Sequence, residues 1–419
     1  MSAESYLLII GSGPREYREE LFRSLSGRRL WLFTDRTPTW QLDYIAGHTV
    51  IPQLNAARVS AKVAFLSEAA SRLTASAAVE GVLTFEEMFL SAASQLADEL
   101  GLPSLSYGAA ENCRDKQRTR ELLTAAGIRQ PSFRFARSAE EASAIGAEFG
   151  YPVVVKPRGL AGSMGVNLVH SAADIEEGFR IATSAARIGA QRHGGGALIE
   201  QYLEGPEIAV DSVVVDGRLE PLYIVRKRFG PKPFFEESGQ TVNADDPLLL
   251  DAELMAMIQA AFTALGLRNA MTHTEVKLTA AGPVIVEVNG RLAGDFVPHV
   301  AKLATGLDGA ILAAQVACGE PVDTARRVRR SAAHQIAYAD RGGRFNYISL
   351  PDAGSHPYLV ASGTLLAPGA TVTLPPDGYM ARCGYVIVAA PSADECDASL
   401  AAAVRDMSVD ITPSRDATL

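Results

Sequence analysis

Three oxygen-bearing side chains at short spacing set the chemistry of this sequence: Glu275, Glu287 and Asn289. The first lies in His273-Thr274-Glu275-Val276-Lys277-Leu278, the others in Val284-Ile285-Val286-Glu287-Val288-Asn289-Gly290-Arg291. β-Branched residues dominate both runs and Ala280-Ala281-Gly282 separates them, which predicts an antiparallel hairpin. With residues 279 to 283 as the connection, Leu278 pairs with Val284 and Glu275 falls opposite Glu287, with Asn289 on the same face of its strand. Opposed carboxylates roughly 5 Å apart destabilise a sheet. A hard divalent cation offsets that cost, so Glu275, Glu287 and Asn289 are expected to hold magnesium. Magnesium on so few carboxylates completes its shell with water and substrate phosphates, and Arg291 supplies a positive charge for the phosphate. The alternative is a hairpin whose acids simply face water.

The elements around this hairpin carry further candidates. Asp115 reads as the cap of a helix running to Gly127, with Lys116 in its first turn, where a cation opposes the helix dipole unless an anion neutralises it. Ser138-Ala139-Glu140-Glu141 is a capping box for a helix ending at Gly150. Tyr151 to Pro157 is an apolar strand that delivers Lys156 to the loop Arg158 to Gly165, and Val166 to His170 follows as a strand. Glycines at 159, 162 and 165 with Ser163 allow backbone N–H groups to converge on phosphate oxygens. A Walker A motif is absent, and the glycines alone also fit an ordinary hairpin tip. The strand from Ala197 to the turn Glu204-Gly205-Pro206-Glu207 offers, if it lies at an edge, free backbone groups for an adenine ring and a carboxylate for ribose. Asp216-Gly217 is a hairpin turn between Ile208–Val215 and Leu219–Val225. Residues 230 to 247 read as a loop over a cleft, and Leu254, Met257, Ile258, Ala261, Phe262 and Leu265 as one buried helical face.

Composition limits what such a site serves. At 419 residues the chain exceeds a single core. Hydrophobic residues make up 47% and charged residues 21%, the balance of a globular protein. The net charge of -9, without a basic stripe, argues against a nucleic-acid partner. Cys113, Cys318, Cys383 and Cys396 form no Cys-x-x-Cys pair, which argues against zinc or a disulfide scaffold and fits a reducing cytoplasm. Met1-Ser2-Ala3-Glu4 lacks the positive start of a signal peptide, and no run approaches the ~20 apolar residues of a membrane span.

Residues 1 to about 105 alternate strand and helix as an open α/β unit: Tyr6 to Ile10, the turn Gly11-Ser12-Gly13, a helix from Glu16 to Leu25, and a strand from Leu30 to Phe33. Val82 to Phe85 and a helix from Glu86 to Leu100 continue it. The third glycine of a dinucleotide fingerprint is replaced by Glu16, so a nicotinamide or flavin cofactor is not expected. Beyond Val328, Ala333–Tyr338 and Arg382–Val388 read as strands and Ala393–Met407 as a helix.

Lys116, GYPVVVKP, the glycine loop, IEQYLEGPE, and HTEVK followed by VIVEVNGRLAGD resemble, in order and spacing, the ATP-grasp superfamily. The resemblance implies an α/β and α+β fold in three regions: an N-terminal Rossmann-like domain (1–105), an ATP-grasp domain of two subdomains (106–325), and a small C-terminal α+β cap (326–419). It implies ATP bound by Lys116, Lys156, Gly162, Ser163 and Gly165, with Glu200, Gln201, Tyr202 and Leu203 at the adenine and Glu207 at the ribose. It further implies magnesium, or manganese, on Glu275, Glu287 and Asn289, with Arg291 stabilising an acyl phosphate. The HTE segment and the lid-like PFFEESG are similar to the L-amino acid ligases, which makes Glu237, His273 and Asp295 candidates for substrate contact. Gly239-Gln240 stands where relatives often have Gly-His. Asp295 is also a candidate cap for a helix starting near Phe296. The implied activity is ADP-forming ligation of a carboxylate to an amine through an acyl phosphate, with a dipeptide as product; bicarbonate activation is the alternative. Small-molecule carboxylates and amines, amino acids by preference, are the expected partners, with a homodimer allowed.

Overall fold

A computed structural model of the chain describes residues 4–55, 58–188, 195–230, 233–379 and 381–413, so Met1 to Ala3, part of the signal-peptide reading, lie outside the described residues. The N-terminal region is a parallel sheet of β1 (Ser5–Ile10), β2 (Leu30–Thr34), β3 (Gly47–Val50) and β4 (Ala78–Leu83) in the order β3-β2-β1-β4. Leu7, Leu8, Ile9 and Ile10 are fully buried because helices cover both faces, as a parallel sheet requires. The helix expected from Glu86 to Leu100 starts later than the sequence suggests, and a further helix, Val59–Thr74, precedes it. A 3-10 turn, Glu87–Phe89, precedes the α-helix Leu90–Leu100.

A second, antiparallel sheet contains β5 (Phe133–Ala136), β6 (Val153–Lys156), β7 (Asn167–Val169) and β8 (Ala197–Gln201), ordered β5-β8-β6-β7. Helices Ala139–Phe149 and Ile175–Ile188 pack on it around Ile145, Val153, Val155 and Ile199. Ser138 caps the first of them, accepting from the Glu141 N–H. The order corrects one expectation: β8 is interior, paired on both sides, and the Gln201 N–H donates to the Ser132 carbonyl. This strand therefore offers no open edge to an adenine ring.

The largest sheet spans most of the remaining chain. Its strands are β9 (Glu207–Val215), β10 (Arg218–Phe229), β11 (Glu237–Asn243), β12 (Ala270–Thr279), β13 (Gly282–Asn289), β14 (Ser331–Tyr338), β16 (Leu359–Thr364) and β18 (Arg382–Ala390). They run antiparallel in the order β13-β12-β9-β10-β11-β14-β18-β16. Asp216 and Gly217 both take positive φ, 50° and 82°, as the tight β9–β10 turn demands. Leu254, Ile258, Ala261, Phe262 and Leu265 of helix Ala252–Leu265 pack against this sheet, each fully buried. β15 (Gly343–Ser349), β17 (Thr371–Val372) and β19 (Ser408–Pro413) form a separate small sheet. The proposed division near residue 325 thus falls within a region whose hydrogen-bonded sheet runs on from β11 into β14.

Two further expectations are corrected here. Residues 230 to 247 are not all loop, because Glu237–Asn243 is β11, bonded to β10 on one side and β14 on the other. The hairpin connection is also shorter than five residues. Thr279 pairs with Gly282 and Leu278 with Pro283, not Val284, around Ala280-Ala281. That slip would separate the two acids, but a bulge between Glu275 and Val276 restores the register. Among the described residues, no single helix is long and apolar enough to cross a membrane.

Candidate functional site

Glu275 and Glu287 are direct partners across β12 and β13, and His273 is opposite Asn289. Each acid has a lysine. Lys227 of β10, 1% exposed, lies 2.8 Å from Glu275, and Lys116 Nζ lies 2.7 Å from Glu287 Oε1. Burial opposes the charge on Glu275, yet Lys227 and His273 outweigh it and hold the carboxyl well below its usual range. The Asn289 amide nitrogen faces the His273 carbonyl at 3.4 Å, which leaves its oxygen as a potential ligand. No group of three His, Cys, Asp or Glu side chains suited to a metal occurs among the described residues. Two charged carboxylates and an amide oxygen are nevertheless a donor set that fits magnesium, which takes the rest of its shell from water and phosphate.

The lysines arrive from different elements. Asp115 caps helix Lys116–Ala125, accepting from the Gln117 and Arg118 N–H groups, and it also binds Arg158. The Lys116 N–H donates to the Arg158 carbonyl and its Nζ to the Leu160 carbonyl, which ties this helix start to the glycine loop. Gly162, Ser163 and Gly165 all have positive φ (66°, 56° and 74°). Gly162 and Ser163 face the cleft. Gly165 does not: a Cβ there would stand 2.5 Å from the Ala185 side chain, so its role in this structure is close packing against a helix. Lys156, at the end of β6, pairs with Glu200 at 2.7 Å, and Arg120 holds the same carboxylate at 2.8 Å. Burial opposes ionisation of Glu200, but the two cations pull it to about 2.

Lys227 was not singled out in the sequence, although it continues the inward parity of Tyr223 and Val225 along β10. Besides Glu275 it reaches Glu207 at 3.2 Å and Glu237 at 2.8 Å, so one buried ammonium joins the expected ribose, substrate and metal carboxylates. A bulge in β11 between its Arg228 and Phe229 partners lets Glu237 and Gln240 share the face that meets Lys227. His273 Nδ1 lies 2.5 Å from buried Asp211. Burial disfavours its charge, yet Asp211 raises it to about 9. Its Nε2 is 3.7 Å from Glu275, so His273 braces a candidate metal ligand as well as lining the substrate side.

Asp295 is not a helix cap. The helix Val297–Thr305 has Phe296 at its cap position without a side-chain bond, while Asp295, at φ 49°, pairs with Arg382 of β18 at 2.5 and 3.1 Å. Arg382 Nε also bonds the Tyr338 hydroxyl, which donates to the Glu237 carbonyl. Arg291 binds Glu87, which Arg114 also contacts at 3.2 Å, and its Nη1 donates to the Leu292 carbonyl. Glu87 and Arg382 belong to distant segments, and no local pattern in the sequence marks them.

Two cavities flank the acidic face. The smaller, about 130 Å³, is lined by Lys116, Lys156, Glu200, Tyr202, Leu203 and Glu207 among others. The larger, about 1090 Å³, reaches from Glu237, His273 and Asp295 to Pro14, Arg18 and Phe85 of the N-terminal region. Gly162, Ser163, Glu275, Asn289 and Arg291 line both, and the two spaces meet at these residues.

Residues 149–299 match the ATP-grasp domain family, and residues 335–412 match the L-amino acid ligase C-terminal domain 2 family. A Sinorhizobium fredii protein, y4rH, is 31% identical over 355 residues, covering 83% of this chain and 71% of its own length. The alanine–anticapsin ligase of Bacillus subtilis is 29% identical over 261 residues; the match covers 57% of this chain and only 54%, about half, of that ligase. The crystal structure of an L-amino acid ligase from Bacillus licheniformis has the same fold at a TM-score of 0.80, with 22% identity over 98% of this chain and 100% of that one. The chain belongs to the ATP-grasp superfamily, among the carboxylate–amine ligases that carry an L-amino acid ligase C-terminal domain.

Proposed function

We propose that this protein joins a carboxylate to an amine at the expense of ATP, forming ADP, phosphate and an amide, and that both substrates are amino acids. The observation that carries this reading is the meeting of two cavities at Glu275, Asn289 and Arg291. A nucleotide in the smaller space would direct its terminal phosphate at substrates in the larger one. Lys116, Lys156, Gly162 and Ser163 would hold the phosphates, Glu207 the ribose, and Tyr202 and Leu203 the adenine. Glu275, Glu287 and Asn289 would hold magnesium, which when bound neutralises charge on the phosphate oxygens.

A substrate carboxylate oxygen attacks the γ-phosphorus as the bridging P–O bond breaks, giving an acyl phosphate and ADP. A neutral amine then adds to the acyl carbon, and the tetrahedral intermediate expels phosphate while the amine's proton passes to solvent or phosphate. Arg291, largely shielded and fixed by Glu87, would lie where charge develops on both intermediates. No protein nucleophile is required. Glu237, His273 and Asp295, which line the larger space, would contact the substrates.

Phosphate release from ATP, measured over pairs of the common L-amino acids, tests the reading. Release should require two amino acids together and yield stoichiometric dipeptide. Release stimulated by bicarbonate alone would assign the chain instead to carboxylation chemistry.

A further inference from the structure

We propose that Arg18 forms, on the N-terminal wall of the larger cavity, a subsite for a substrate carboxylate other than the one that is activated. The inference rests on the ligase reading above. Arg18 belongs to helix Arg15–Ser24 and lines the cavity. Its Nη2 donates to the Phe85 carbonyl at 3.3 Å, while Nε and Nη1 have no hydrogen-bond partner among the described residues. The other arginines of this cavity that are not exposed have their anions: Arg291 and Arg114 share Glu87, and Arg382 holds Asp295. Arg18 makes no ion pair among the described residues. Its acidic neighbour on the wall, Glu86, lies instead against Gly11 and the Gly13 backbone. A guanidinium on the cavity wall whose charge no carboxylate pairs with is suited to an anion such as a carboxylate.

The glycine turn Gly11-Ser12-Gly13 then acquires a purpose other than a dinucleotide. A Cβ at Gly11 would stand 2.2 Å from Glu86 Oε1, and one at Gly13 would stand 3.0 Å from Arg18 Cγ. The glycines therefore let the loop close over these two side chains. Ligation of two amino acids also creates the need for such a group. The carboxylate being activated faces Arg291, but the acceptor brings a carboxylate of its own, which must be neutralised and kept from the γ-phosphate. That second carboxylate is the α-group of the acceptor or the side chain of an acidic amino acid.

The test is calorimetric binding to the full chain, with magnesium and a nonhydrolysable ATP analogue present. The probes are L-amino acids, their α-carboxamides, and asparagine and glutamine set against aspartate and glutamate. Arg18→Gln should weaken the acids about tenfold, spare the matching amides, and leave nucleotide affinity unchanged. Arg18→Lys, which keeps the charge without the planar guanidinium, should fall between. Loss confined to the α-carboxamide comparison names the acceptor's α-carboxylate; loss confined to the aspartate and glutamate comparison names the side chain. A wild type that does not prefer acids, or an Arg18→Gln protein that still does, overturns the subsite. Should Arg18→Gln not fold, undiminished acid preference in Arg18→Lys overturns it as well. Acid preference through Arg18 without amino-acid-dependent phosphate release would sink the ligase reading and leave the subsite standing.

Discussion

Glu287 and Glu275 face each other with a lysine beside each, although Lys227 is shared with Glu207 and Glu237. Glu287→Gln should keep a hydrogen bond to Lys116 and hence the fold, but lose a metal-ligand charge. We expect turnover to fall by at least on the order of 10²-fold with little change in melting temperature, and phosphate release at saturating magnesium checks it. Asp295 gives a sharper contrast at this scale. Asparagine caps helices about as well as aspartate, so a cap would survive Asp295→Asn. The pair with buried Arg382 would not, and the substitution should cost roughly 2–4 kcal/mol, read by urea unfolding. Unchanged stability would show that Arg382 has no need of the charge.

At the scale of elements, the hairpin was legible because β-branched runs flank a short Ala-Ala-Gly break, and its candidate metal face because the side-chain period is two. The register came out right through two compensating departures, a tighter turn and a bulge, neither of which local sequence encodes. β11 was illegible for a different reason. Glu237-Ser238-Gly239-Gln240-Thr241 has no apolar alternation, and it becomes a strand because β10 and β14 pair with it on both sides. Its partner β14 also carries His334, fully buried with both ring nitrogens unbonded, beside the Phe296 ring. Burial lowers its pKa to about 3. The unfolded chain, with an ordinary value near 6.5, takes up the proton first as pH falls. This contribution is therefore present above about pH 6.5 and is lost as pH falls toward 3, with a slope of about 1.4 kcal/mol per pH unit. His334→Leu should flatten that slope in urea titrations across the window, and an unaltered slope would contradict a neutral buried imidazole.

For the whole molecule, the sheet that bears the acids runs on through β11 into β14, β18 and β16. A fragment ending at residue 326 should therefore lack a cooperative unfolding transition and aggregate, because β11 would become an open edge. A monomeric, cooperatively folded fragment would show the C-terminal region to be dispensable. The order of the motifs along the chain was readable from sequence, whereas the buried charges that join them, Lys227, Glu87 and Arg382, come from segments that only folding brings together. The central claim, that a carboxylate is activated by phosphorylation where the two cavities meet, is tested most directly by isotope transfer. With ¹⁸O in the carboxylate of the activated amino acid, the account predicts ¹⁸O in the released phosphate and ADP as the nucleotide product. Phosphate free of ¹⁸O, or label appearing in AMP, would contradict it.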